Sequence, residues 1–147
     1  MALTPLILQP IVDRIVAQCP GYAFVDRAAN AQVAIDARQC PMPAALVLEP
    51  AVNRSGEPVN ASRLTTQELI YEIGVLSMVQ NYAGQSGKLQ SQDAEALRSQ
   101  LWGALIGWRP VEAGRAIEYS NGALTSFDDQ VFFYLDTFAL RYRISST

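Results

Sequence analysis

No histidine occurs in the chain, and its single lysine is Lys88. The first absence removes the commonest general base, every Ser-His-Asp or Cys-His arrangement and the commonest metal ligand. The second leaves no Walker-type lysine loop, and no GxGxxG is present either. Lys88 stands in a flexible polar stretch, which supports a Schiff-base or phosphate-binding role poorly. Charge is sparse as well: 17% of residues are charged, the net charge is -3 and the pI is near 4.8. Such a chain lacks the basic stripe that nucleic-acid affinity requires, so any contact with DNA is expected to be indirect or repulsive. Cysteine is limited to Cys19 and Cys40, distant in sequence and without a CxxC pair. Two small semi-buried residues in a reducing compartment are expected rather than a disulfide. Long apolar runs are missing too. Met1 to Gln18 is apolar, but no basic residue precedes it, and Asp13 and Arg14 interrupt it short of the ~20 residues that span a bilayer. A cytosolic chain with neither signal peptide nor membrane partner is expected.

What is present suits one globular domain over residues 1–147, since half the residues are hydrophobic. Thr4-Pro5 has the pattern of a helix start, and Ile7, Leu8, Ile11, Val12, Ile15 and Val16 make one apolar helical face. Pro10 requires this helix either to begin near it or to kink there, and Cys19-Pro20-Gly21 ends it. Tyr22 to Val25 reads as a short strand, Ala28 to Ala37 as weakly helical, and Ala44 to Leu48 as a short buried strand between prolines. Residues 53–65 read as a polar loop or hairpin tip around Gly56 and Pro58.

Glu68 to Gln80 is predicted to be a strand with Leu69, Tyr71, Ile73, Val75, Ser77 and Val79 on one face. Ile70, Leu76 and Met78 make its other face partly apolar. A second helix is predicted from Ser91, as cap, to Ile106, ended by Gly107 and Pro110. Asn121-Gly122 signals a hairpin between Ala116 to Tyr119 and Ala123 to Phe127. Val131 to Ile144 is predicted as a long strand. Its apolar residues change parity after Leu135, which implies a bulge near Asp136-Thr137.

Two helices cannot surround such a sheet. The expected fold class is α+β: a two-layer domain with a mostly antiparallel twisted sheet and two main helices packed on one face. The other sheet face, with Phe132, Tyr134, Ile70, Leu76 and Met78, is then left for a neighbouring protomer.

The remaining chemistry is thin. Glu118, Asp128, Asp129 and Asp136 lie close in sequence and raise the question of a magnesium site. No second cluster or partnering lysine accompanies them, and aspartates between strands are ordinary turn residues. Trp108 continues the apolar stripe of the second helix, so packing explains it better than a ligand pocket shared with Trp102. Arg141 and Arg143 flank Tyr142 in the manner of salt-bridge or interface residues. No catalytic residue, cofactor or metal ligand is assigned, and no enzyme is expected. The interface candidates are Phe132, Tyr134 and an arm carrying Arg54, Glu57 and Arg63, for which a solvated loop is the plain alternative.

Three blocks carry a resemblance. One is the helix end Leu101-Trp102-Gly103-Ala104-Leu105-Ile106-Gly107-Trp108-Arg109-Pro110. Another is Ile117-Glu118-Tyr119 followed by Gly122-Ala123-Leu124 and the acidic Asp128-Asp129. The third is Phe133-Tyr134-Leu135-Asp136-Thr137-Phe138-Ala139-Leu140-Arg141-Tyr142. In this order they resemble the tail terminator family of long-tailed phages, specifically its Mu-type Gp37-like group, and the first half follows more loosely. The resemblance implies a homo-oligomeric ring, a hexamer, in the tail or neck of a virion assembled in the bacterial cytoplasm. Its implied partners are further copies of itself, the tail tube protein and the head-tail connector protein. Genomic DNA would pass through the lumen without specific binding, which an acidic chain favours. Alternatives are another neck protein for head-tail joining or tail completion, a small-ligand module near Trp102 and Trp108, and a carboxylate-dependent nuclease.

Overall fold

The computed structural model describes residues 8–29, 41–61, 64–80, 88–110, 114–127 and 131–146. The elements are α1 (Gln9–Gln18), β1 (Phe24–Ala28), β2 (Ala44–Leu48), β3 (Ala51–Ala61), β4 (Leu64–Gln80), α2 (Lys88–Leu105), β5 (Glu118–Phe127) and β6 (Val131–Ser146). The six strands form one sheet in the order β1-β2-β4-β6-β5, with β3 beside the first part of β4. Among the described strands, only the β1–β2 pair is parallel. The α+β class holds: among the described elements, a mostly antiparallel sheet with two helices packed on one face.

Pro10 sits in the first turn of α1, where its missing N–H is not needed. The helix therefore begins there instead of kinking; Thr4-Pro5 lies outside the described residues. Ile11, Val12 and Ile15 form its buried face. In α2, Ala94, Leu97, Leu101, Ala104 and Leu105 recur every three to four residues and are buried. This helix starts at Lys88, earlier than Ser91, because the Lys-Leu-Gln run consists of good helix formers. Gly107 closes it with a φ of 85°, a conformation open to glycine.

β4 and β6 pair from Thr65↔Ser146 to Gln80↔Val131 without a shift in register. That straight ladder sorts the side chains. Tyr71, Ile73, Val75 and Val79 of β4 share a face with Phe132, Phe138, Leu140 and Tyr142 of β6, and pack with both helices into one core. Leu76, Met78, Val131 and Phe133 share the opposite face with Ala44, Leu46 and Leu48 of β2. This second cluster is itself buried.

Four expectations are corrected. Residues 51–61 form a strand paired antiparallel with β4 up to Ala61↔Leu64, so the polar stretch is the end of a hairpin and not a loop, because backbone pairing with a long neighbour outweighs its polarity. The first strand starts at Phe24 instead of Tyr22, whose hydroxyl lies 2.7 Å from Ser77 Oγ in the core. Asn121-Gly122 makes no hairpin: β5 runs through it, paired with β6. And β6 has no bulge at Asp136; the register shifts lie in β5, after Tyr119 and after Leu124. The apparent change of parity arises because Asp136 is a polar residue buried on the helix-covered face.

Candidate functional site

Two groups of ionisable side chains stand out, one on each face of the sheet. On the helix-covered face, Asp136 is fully buried. Arg98 of α2 reaches it with two hydrogen bonds, Nε to Oδ2 at 3.0 Å and Nη2 to Oδ1 at 2.8 Å. The Tyr119 hydroxyl donates to Oδ1 at 3.0 Å. The guanidinium also lies over the rings of Trp102 and Tyr134, at 5.4 and 5.0 Å from their centroids. Gly122 stands opposite Asp136 in β5. A Cβ there would collide with the Tyr119 hydroxyl and the Asp136 carboxylate. Glycine is thus required by space and not by a hairpin turn. The arrangement fastens α2 to β5 and β6 and leaves no open position beside the carboxylate.

Burial and this network also set the titration of nearby groups. The Asp136 bond holds Arg98 above its usual range. Burial pushes the Cys19 thiol up, opposed by Arg14. Burial raises Tyr22 as well, and raises Tyr119 together with its bond to Asp136. Burial, helped by the bond to Tyr71, brings Tyr142 to about 12. For these thiol and phenol groups the fold favours the protonated form. Their contribution to stability is fully present below the unfolded values of 9.0 and 10.0 and is lost as pH rises through the raised ones. Urea midpoints over a pH series are expected to show a progressive loss of stability above about pH 9. A midpoint still rising at pH 11 would contradict this.

On the opposite face, the half of the sheet beyond the second core is charged. Glu68 pairs across the ladder with Arg143, and Ile70 with Arg141. Glu72 and Glu118 flank Ala139 from β4 and β5. Arg115 enters from the segment before β5, held by its N–H to the Arg141 carbonyl at 2.9 Å. Glu68, Arg115, Arg141, Tyr142 and Arg143 line a cleft of about 230 Å³. One carboxylate serves two arginines there: Glu68 lies 3.7 Å from Arg115 and 3.9 Å from Arg141. These separations exceed the ~2.7–2.9 Å of a tight charge-assisted bond.

The interface candidates fare unevenly. Phe132 and Tyr134 do not face outward: they lie on the helix-covered face, Phe132 inside the core and Tyr134 against Arg98. Sequence alternation predicts Phe133 on the helix-covered face; the β4 register places Phe132 there instead. Leu76 and Met78 are not left open either: both are fully buried, in one cluster with apolar residues of β2. Arg54 is exposed on β3. Glu57 belongs to the same strand, its side chain outside the described set, and Arg63 lies outside the described residues. The two candidate acids Glu118 and Asp136 sit on opposite faces and do not converge; Asp128 and Asp129 lie outside the described residues. Among those described, no group of three or more acidic or cysteine residues is placed to hold a metal. Trp108 packs against the core beneath Arg14, at 5.1 Å. Cys19 is a buried free thiol; Cys40 lies outside the described residues. No described helix is long and apolar enough to cross a membrane.

Comparison with curated proteins gives no match. The family described as Phage tail terminator protein matches residues 1–147, the whole chain. The chain belongs to that family, which makes it a structural component of a phage tail that works with other tail proteins.

Proposed function

We propose that this member of the phage tail terminator family assembles into a homo-oligomeric ring, a hexamer, on the last layer of the tail tube. The ring halts tube polymerisation and offers its free side to the head-tail connector. The family match over the entire length carries this reading. The residue chemistry supports it: a histidine-free chain with one lysine is poorly equipped for catalysis. Its buried acid is committed to an internal clamp. We therefore assign it no enzymatic step and no cofactor. DNA passes through the lumen unbound, and an acidic protein favours that passage by repelling phosphates.

The test is tail assembly without this protein. Electron micrographs are expected to show tubes of uncontrolled length, and the purified wild-type protein added during assembly is expected to restore a single length. Tubes of normal length in its absence would refute the terminator role.

A further inference from the structure

The ring reading leaves open which surfaces join one copy to the next. Apolar sheet surface is a poor candidate, because the second cluster is buried within the chain. The arginine cleft offers a different kind of contact. Its three arginines and Glu68 carry +2, in a chain of net charge -3, so the rest of the molecule carries -5. The remainder of a second copy is therefore on average opposite in sign to the cleft. Glu72 and Glu118 border the cleft on one side and confine its attraction to the end of the sheet.

The complementary surface lies on the other side of the domain. Gln9, Asp13 and Val16 are exposed along α1, at i, i+4 and i+7. Val16 is 58% exposed, and Ile106, just past the end of α2, is 42% exposed. Arg14 joins these two helix regions by donating to the Ala104 carbonyl at 3.0 Å. The exposed charges on α1 and α2, among side chains described, are Asp13 and Glu95, both acidic. Asp13 alone has an exposed aliphatic neighbour one turn away.

We propose that the Arg115-Arg141-Arg143 cleft of one copy receives the Asp13–Val16 stripe of the next, which rests on the ring reading above. The two surfaces are on opposite layers of the domain, so the contact is heterologous and head-to-tail. That kind of contact closes into a ring when the rotation between copies permits. The arginine stems supply apolar lining for Val16, while the guanidiniums meet the carboxylate.

The experiment uses two full-length variants. Arg115→Glu with Arg143→Glu reverses the cleft, and Asp13→Lys reverses the stripe; all three positions are exposed. Oligomer mass is read by light scattering near 0.15 M salt, with tail tubes as template, and circular dichroism checks folding. Each variant alone is expected to remain monomeric. Mixed one to one, they are expected to form rings of alternating copies, since each cleft then faces a stripe of opposite sign. A milder pair, Arg115→Gln with Arg143→Gln, is expected to fall between wild type and the reversal. Rings formed by either reversed variant alone would overturn this contact and leave the ring reading standing. So would a mixture of two folded variants that stays monomeric. Wild-type protein that makes no ring even on tubes would remove the ring reading, and this contact with it.

Discussion

Arg98→Met is expected to cost about 3–5 kcal/mol of stability, because it strands a buried carboxylate. Asp136 has no access to solvent, and two of its three side-chain hydrogen bonds come from Arg98. Methionine keeps most of the aliphatic stem against Trp102 and Tyr134 but returns neither donor. For a chain of this size the melting temperature is expected to fall by roughly 10 °C. Adding Asp136→Leu removes the stranded charge and is expected to recover most of the loss, since a well-packed apolar pair often replaces a buried ion pair at little cost. Urea unfolding of wild type, single and double variants measures both quantities. A single variant within 1 kcal/mol of wild type would mean that Asp136 does not depend on Arg98. The clamp fixes where α2 crosses the sheet, so the double variant also tests whether a charge is needed for a unique packing or only for stability.

This clamp shows where sequence reading succeeds and where it stops. The two helices, the Ala44–Leu48 strand and the two-faced β4 strand were legible because each rests on local periodicity or on a run of apolar residues bounded by prolines. The Arg98–Asp136 pair was not, because its members are 38 residues apart and each resembles a surface residue in isolation. A buried ion looks polar to any pattern that sorts residues by hydrophobicity. That single misreading displaced the whole first part of β6 by one residue, and with it Phe132 and Tyr134 changed faces. Gly122 failed for a related reason. Asn-Gly signals a positive-φ turn, but here the glycine answers a spatial demand set by Tyr119 and Asp136 from elsewhere in the chain. The charged cleft was visible only as Arg141 and Arg143 flanking Tyr142; Glu68 and Arg115 join them through strand register, which a single sequence does not display.

The face assignment in β6 carries the second large expectation. Phe133 and Phe138 are both buried, at 1% and 0% exposure, on opposite faces of one strand. Phe133 stands beside Met78 under the β2 side of the sheet. Phe138 stands beside Ile73 and meets the edge of Tyr119 at 5.6 Å. Truncation of either to alanine is expected to cost about 3–5 kcal/mol. The two losses together approach the total stability of a typical domain, so the double alanine variant is expected to be unfolded. Additivity is better read from Phe133→Leu and Phe138→Leu, each costing about 1 kcal/mol. Side chains on opposite faces share no contacts, so the double leucine variant is expected to equal the sum within about 0.5 kcal/mol. If the strand instead turned Phe133 outward to a neighbouring copy, Phe133→Ala would leave the unfolding of the monomer nearly unchanged and abolish assembly. The alanine variant of Phe133 thus separates a chain that covers its own second face, and must recruit neighbours by charge, from one that leaves apolar surface for them.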